Sequence, residues 1–450
     1  MENWVAFFRQ APLEKRRRGE EQVASHDPDT GTDDTDQVGQ CHPSHSENSF
    51  KAGSLSLSLS EWQKLTHDKH ILDIISGLKI DFMKNPTQIN EPKQIQFNPQ
   101  EKEIVNSEIE NLKRLGVIEH TEEVDGQFIS NIFIRKKKNN SYRLILNLKE
   151  LNQFIEYHHF KMENFNTVLH MLKANMYMAS VDLTHAYYSV NVHKSHRKYL
   201  RFRWNGHLYQ FTCMPNGLAC APRIFTKILK PVFSHLRLKG NQCNGYIDDT
   251  YAQAETKNEC MESVNMMAAL FKSLGFEINF EKSCFEPSKK IKFLGFIVDS
   301  ETMHIKLPEE KALRMIKICR SIQKSKTQLI RDVACLLGLI VSSFPAVKYG
   351  PLLYRCLEIE KTKALKQNRG DFDARMCLSY ESKEEISWWN DNILGSMKSI
   401  CLSQNPEFVV RTDASLQGWG AFLDSSVGGR WAVEEKNCHI NVLEIKAILS

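Results

Sequence analysis

Gly240-Asn241-Gln242-Cys243-Asn244-Gly245-Tyr246-Ile247-Asp248-Asp249 is the stretch on which the reading of this chain turns. Its first six residues are rich in turn formers. Tyr246-Ile247 has the aromatic and β-branched chemistry of a strand, and two carboxylates follow at what reads as the tip of a β-hairpin. Adjacent acids are a poor end for a buried strand unless positive charge fills the gap. A pair of divalent cations would fill it, because hard oxygen ligands suit Mg²⁺ and each ion offsets the carboxylate repulsion. Working outward, Met178-Ala179-Ser180-Val181-Asp182-Leu183 is a second strand-like run that carries an acid near its end. Three carboxylates on two neighbouring strands form the two-metal arrangement for in-line phosphoryl transfer. Taken alone, Tyr246–Asp249 reads better as a solvated turn; the blocks around it reverse that reading.

The 450 residues suffice for two or three domains with cores of their own, and 42% hydrophobic with 25% charged residues is ordinary for a soluble globular chain. The net charge of +5 hides an asymmetry. Residues 1–50 hold five Lys/Arg against ten Asp/Glu, so the remainder is about +10, a balance that suits a polyanionic partner. The 12 cysteines show no C-x-x-C spacing, and Cys213, Cys220, Cys335 and Cys356 read as small core residues in a reducing compartment. The apolar run Val333–Val347 is too short to span a membrane and is broken by Gly338 and Pro345. With no secretory signal, the expectation is an intracellular protein without a membrane partner, cytoplasmic or nuclear. Lys15-Arg16-Arg17-Arg18 fits either an import patch or a solvated basic stretch.

Residues 1–50 lack apolar periodicity and read as disordered, and Cys41, His42 and His45 are too few for a metal site. An ordered lead-in over 51–98 places Trp62, Leu65, Ile71, Leu72, Ile74 and Ile75 at helical spacing. A helix over 99–116 closes at Gly116. Strands Phe128–Arg135 and Ser141–Leu148 flank the basic turn Lys136–Asn140. Helices are expected over Pro222–Leu236 and Glu259–Leu274. Another opens at Pro308-Glu309-Glu310, with Leu313, Ile316, Cys319 and Ile322 on one face. A fresh β pattern covers Phe408–Thr412, Gly418–Asp424 and Trp431–Val433, and a helix follows from Asn441.

In order, these blocks resemble a reverse transcriptase from residue 55 to the end. The resemblance is carried by Ser130–Lys136 with Tyr142–Leu148 and Leu151-Asn152, by Ser180–Tyr188, by Met214–Arg223, by Tyr246–Asp249, by Gly275–Lys282, and by Phe293-Leu294-Gly295-Phe296. It implies an α/β (α+β) fold, a right-hand polymerase with fingers and palm over 99–300 and thumb and connection over 301–400. A partial ribonuclease H-like domain follows over 406–450. Met214-Pro215-Asn216-Gly217-Leu218 followed by Ala221-Pro222-Arg223, with the lead-in Trp62–Asp68, Ile71-Leu72 and Gly77, looks most like the DIRS-type retrotransposons, with gypsy-type and hepadnavirus-like polymerases as the neighbouring alternatives. Two positions depart from the wider family: Asn147 where many relatives carry Asp, and Asn216 where retroviral enzymes carry Gln.

The resemblance assigns Asp182, Asp248 and Asp249 as catalytic ligands of two Mg²⁺ ions, Mn²⁺ being an alternative, with Asp249 the least direct. It assigns Lys136 and Arg143 to the triphosphate, with Arg143 the favoured one. His185, Ala186, Tyr187, Asn216 and Gly217 line the nucleotide, and Tyr187 excludes a 2′-hydroxyl. Phe293–Phe296 grips the primer, and Lys282 is either a helper of the leaving phosphate or a solvated lysine. The implied partners are an RNA template, a DNA primer, their hybrid and dNTPs. In the C-terminal segment, Asp413 and Glu444 resemble two ribonuclease H carboxylates, and the family's later acids would fall beyond Ser450. Ribonuclease H activity is therefore not expected of the chain as written. Two rival readings stay open: a catalytically silent nucleic-acid-binding remnant, and a nucleotide cyclase, which would leave the fingers hairpin and the ribonuclease H segment unexplained.

Overall fold

A computed structural model describes residues 50–136, 141–163, 165–400 and 409–449. The disordered reading of residues 1–49, the Lys15–Arg18 patch, the Cys41–His45 cluster, the hairpin tip 137–140 and the strand start at Phe408 lie outside them. The chain divides into two compact units, Met1–Lys398 and Ser399–Ser450.

In the first unit, the lead-in forms three short helices, Ser54–Leu57, Leu59–Leu65 and Lys69–Ser76. Trp62, Ile71, Ile74 and Ile75 are buried in the main core. Helix Pro99–Arg114 starts where its sequence says it should. Asn98 and Glu101 form a reciprocal capping box, and Pro99 occupies a first-turn position where no N–H is needed. The strands that follow are β1 (Ile118–His120), β2 (Ile132–Lys136), β3 (Tyr142–Leu146), β4 (Tyr177–Thr184), β5 (Arg201–Trp204), β6 (His207–Phe211), β7 (Gln242–Tyr246), β8 (Asp249–Ala254), β9 (Glu277–Ser288), β10 (Lys290–Phe293), β11 (Phe296–Asp299) and β12 (His304–Lys306).

Four of these make the sheet that carries the acids, in the order β7-β8-β4-β9. Every pairing in it is antiparallel. The inner face of this sheet packs on helices Ala221–Leu238 and Lys257–Ser273, the second opened by a Thr256/Glu259 capping box. One contact fixes the hairpin against the first helix: a Cβ on Gly245 would stand 2.2 Å from the Phe233 ring, so only glycine allows β7 this close. β2 and β3 form the separate fingers hairpin. Helices Glu309–Lys324, Ile330–Val341, Arg355–Gln367 and Tyr380–Asn392 complete the unit.

In the second unit, strands Arg411–Ala414, Gly418–Phe422 and Ser426–Arg430 form an antiparallel meander, and helix Ile440–Leu449 packs on it. Its small core is Trp431, Leu443 and Ala447.

Several sequence expectations need correcting. The turn-rich run before Tyr246 is strand from Gln242 on, held by pairing with β8 despite poor strand formers. Cys335 is exposed and Cys356 only half-buried, so neither is a core residue. Leu313 is 49% exposed; the buried face of its helix runs through Ala312, Met315, Ile316, Cys319 and Ile322. The third strand of the second unit is Ser426–Arg430. Trp431 lies after it as a buried anchor whose indole N–H donates to the Ser415 carbonyl at 2.7 Å.

Candidate active site

The acids meet through strand register. Asp182 on β4 is paired directly with Asp249 on β8, so their side chains emerge on the same sheet face. Tyr246 pairs with Asp249, leaving Ile247-Asp248 as a two-residue loop. Ile247 has φ 58, a left-handed backbone that a β-branched residue rarely adopts and that hairpins usually reserve for glycine. The strained tip is tied down by the Leu183 N–H, which donates to the Asp248 carbonyl at 2.9 Å. That bond holds the Asp248 backbone beside the Asp182-Leu183 end of β4.

β9 closes the other side of β4 irregularly. Ser180 pairs with Cys284 but Asp182 with Asn279, so extra residues of β9 are looped out between them. The loop is closed internally: Ser283 donates its hydroxyl to the Asn279 carbonyl at 2.6 Å and accepts the Asp182 N–H at 3.0 Å. The bulge carries Lys282 beside the acids, where its charge favours ionised Asp182 and Asp249.

Electrostatics mark this patch. Burial, then the charges of Asp248 and Asp182, push the Asp249 carboxyl up to about 6, with Lys282 opposing. Burial also raises Asp182; Lys282 pulls it down and Asp248 pushes it up. Among the described residues no three His, Cys, Asp or Glu side chains form a preassembled metal-ligand cluster. The acids share a patch of repulsion short of a closed ligand set. Their all-oxygen chemistry and unrelieved repulsion nonetheless fit divalent cations of the Mg²⁺ type.

A stability consequence follows. With its folded-state pKa above the ordinary carboxylate value, Asp249 makes the folded chain hold more protons than the unfolded one between about pH 4 and 6. Folding should therefore weaken as pH rises through that window. In chelator, native chain and Asp249→Asn should melt alike at the acid end, and the native chain should fall behind as pH rises. Parallel melting curves would refute this.

Tyr187 lies in the turn Ala186–Ser189 just after β4, its ring 5.6 Å from Phe225. Burial, then the Asp248 and Tyr246 charges, lift its hydroxyl well above the usual phenol range, which places it within electrostatic reach of Asp248. His185 precedes this turn in a left-handed conformation (φ 54), and its exposed ring packs 4.8 Å from Phe50. Burial pushes the Tyr188 hydroxyl up to about 12, and Asn216 and Arg143 lie near enough to oppose that rise. The fingers strand and the Asn216-Gly217 loop thus converge on the segment following Asp182. Gly217 needs its freedom, with φ 96 in an exposed turn against the Leu146 carbonyl.

Register also exposes a residue that sequence reading missed. Arg143 pairs with Arg135, whereas Lys136 pairs with Tyr142 and projects from the opposite face. Two exposed guanidiniums directly opposite each other repel, an arrangement that costs stability unless an anion bridges them. Phe293 and Phe296 are buried either side of a tight turn, Leu294-Gly295, with both loop residues at positive φ. Phe293 and Leu294 share a shallow cleft with Tyr246 of the acid-bearing hairpin. In the second unit, Asp413 is exposed on the first strand and Glu444 half-buried on the helix that packs against it.

Residues 134–298 match the family described as reverse transcriptase (RNA-dependent DNA polymerase). The genome polyprotein of Petunia vein clearing virus is 24% identical over 387 residues, 81% of this chain but 16% of that protein. The enzymatic polyprotein of Carnation etched ring virus is 23% identical over 81% of this chain and 54% of its own length. A retrovirus-related Pol polyprotein from transposon opus of Drosophila melanogaster is 26% identical over 44% of this chain and 20% of its own. The chain thus spans only part of each. Among solved structures, a foamy viral protease-reverse transcriptase in complex with RNA/DNA hybrid superposes with TM-score 0.61 at 14% identity, covering 91% of this chain and 56% of that one. The same protease-reverse transcriptase in a dsDNA complex gives TM-score 0.60 at 17% identity, over 83% and 76%. The first unit therefore has the reverse transcriptase fold with its palm-like sheet, and residues 134–298 are a reverse transcriptase domain of the retroelement and viral polyprotein kind.

Proposed function

We propose that this chain is an RNA-directed DNA polymerase of retrotransposon origin, adding deoxynucleotides to a primer 3′-hydroxyl on an RNA or DNA template. The observation that carries the reading is the pairing of Asp182 with Asp249 under a hairpin tip that holds Asp248, inside the segment matching the family. Asp182, Asp248 and Asp249 would hold two Mg²⁺ ions, or Mn²⁺; when bound, these supply charge neutralisation and activation of the attacking hydroxyl. The chain's own residues do the rest. Lys282 offers a cation and a proton donor beside the acids. Tyr187 walls off the position of a 2′-hydroxyl, with Asn216-Gly217 opposite and His185-Ala186 at the phosphate side. Phe293, Leu294, Gly295 and Phe296 form a turn suited to supporting the primer end near Tyr246. The foamy viral relatives were solved with dsDNA and with RNA/DNA hybrid, which supports the same duplexes as partners here.

Our reading of the phosphate grip centres on Arg143 with Arg135, since their shared face and mutual repulsion suit an anion between them, and Lys136 is secondary. Arg143→Ala and Arg135→Ala should each raise the dNTP KM by about tenfold or more, the worth of a charge-assisted hydrogen bond, with template–primer affinity retained. Lys136→Ala should change it less. A dNTP titration at fixed duplex decides, and an effect confined to Lys136 would reverse the assignment.

The DIRS-type origin rests on Met214–Leu218 with Ala221–Arg223. Asp413 and Glu444 are read as the first acids of a ribonuclease H-like domain, and cleavage of a labelled RNA/DNA hybrid that Asp413→Asn abolishes would show it working. The polymerase reading itself is tested by extension of a labelled DNA primer on RNA with Mg²⁺ and dNTPs. Tight duplex binding without extension would favour the silent remnant. No helix among the described residues is long and apolar enough to cross a membrane.

A further inference from the structure

One side chain outside the acid patch joins two parts of the site. Asn152 lies in the turn Leu151–Phe154 at the foot of the fingers hairpin. Its amide nitrogen donates to the Gly217 carbonyl at 2.9 Å, and its amide oxygen accepts the Ala219 N–H, also at 2.9 Å. Both polar ends of a single side chain are therefore spent on the backbone of one loop, 65 and 67 residues along the chain. The turn that presents Asn152 is itself fixed, because the Asn152 N–H donates to the Leu148 carbonyl at 2.8 Å. The loop it holds is the one that carries Asn216, near the Tyr188 hydroxyl, and Gly217 in its left-handed conformation against Leu146.

We propose that Asn152 is a positioning residue for the incoming nucleotide. It clamps the Asn216–Ala219 loop to the base of the hairpin that carries Arg135 and Arg143, so that the wall beside the nucleotide and the phosphate grip form one rigid body. The inference rests on the polymerase reading. Its chemistry is specific to a primary amide, since only Asn or Gln offers a donor and an acceptor in this fork, and only Asn has the reach seen here. Alanine supplies neither bond. Aspartate keeps the acceptor for Ala219 but sets a negative charge against the Gly217 carbonyl. A loop released in this way must be ordered by the nucleotide itself, and that cost falls on binding.

The test uses the full chain in primer extension with dNTP titration. Asn152→Ala should raise the dNTP KM by about tenfold, with kcat changed by less than about threefold and duplex affinity retained. Asn152→Asp should show the same loss near pH 8 and recover relative to the native chain as pH falls, because a protonated carboxyl again donates to Gly217. A merely structural defect has no reason to recover on acidification. Hydrogen exchange reads the clamp without turnover: the Ala219 amide should be protected in the native chain and exchange faster in Asn152→Ala. An unchanged KM, or unchanged Ala219 exchange, would overturn the clamp and leave the polymerase reading standing. No extension by the native chain would overturn the polymerase reading and this inference with it.

Discussion

Asp248→Asn should abolish primer extension, by about a thousandfold or more, while duplex binding stays within about twofold. Asp248 is exposed at the hairpin tip, with no side-chain hydrogen bond or ion pair among the described residues; its backbone carbonyl holds Leu183 whichever side chain it carries. The isosteric amide removes a charge from a patch where three carboxylates repel, so the variant should fold as well as the native chain or better without added cation. Asp182→Asn should behave alike. Lys282 is the cation that opposes the rise of its carboxyl, and its N–H bond to Ser283 survives the change. A second readout separates charge from chemistry: Mg²⁺ should raise the melting temperature of the native chain at about pH 8 and do so much less for either variant. Extension that survived Asp248→Asn would remove this residue from the chemistry. Loss of duplex binding in step with extension would mean a folding defect.

How much of this was legible in the sequence differs by residue. Local signals read true: the helices expected over 99–116 and Glu259–Leu274 form as Pro99–Arg114 and Lys257–Ser273, and the acids of β4 and the β7–β8 hairpin do meet. What failed were features set by a distant partner. Gln242-Cys243-Asn244-Gly245 has the composition of a turn yet forms a strand, because β8 supplies its hydrogen bonds and Phe233 requires a glycine beneath it. Arg135 went unnoticed because strand register depends on how the turn between β2 and β3 closes, and a one-residue slip exchanges the faces. Lys282 was ambiguous for the same kind of reason: only the bulge in β9 turns it toward the acids. Asn152 carries no local signal of its role, since both its partners lie more than sixty residues away.

The lead-in supplies the largest expected effect on folding. Trp62 is fully buried, its indole N–H donates to the Leu274 carbonyl at 3.0 Å, and its ring meets Phe276 edge-on at 6.0 Å. Leu274 and Phe276 join helix Lys257–Ser273 to β9, the strand whose bulge carries Lys282. The same lead-in donates from Gly53 N–H to the Tyr188 carbonyl at 2.9 Å, beside the proposed sugar gate. Residues 50–76 are thus structural parts of the palm-like unit, although they precede the segment that matches the family. Trp62→Ala should cost about 3–5 kcal/mol for the lost side chain and its cavity, a large share of the roughly 5–15 kcal/mol that a folded domain has available. Trp62→Phe keeps most of the packing and leaves the Leu274 carbonyl without its partner, so its cost should be smaller, about 1–3 kcal/mol. Denaturant unfolding should rank native, Phe and Ala in that order, and Trp62→Ala should lose duplex binding and extension together, unlike Asp248→Asn. If Trp62→Ala unfolded at the native midpoint, the lead-in would be an appendage and the palm-like unit would fold without it.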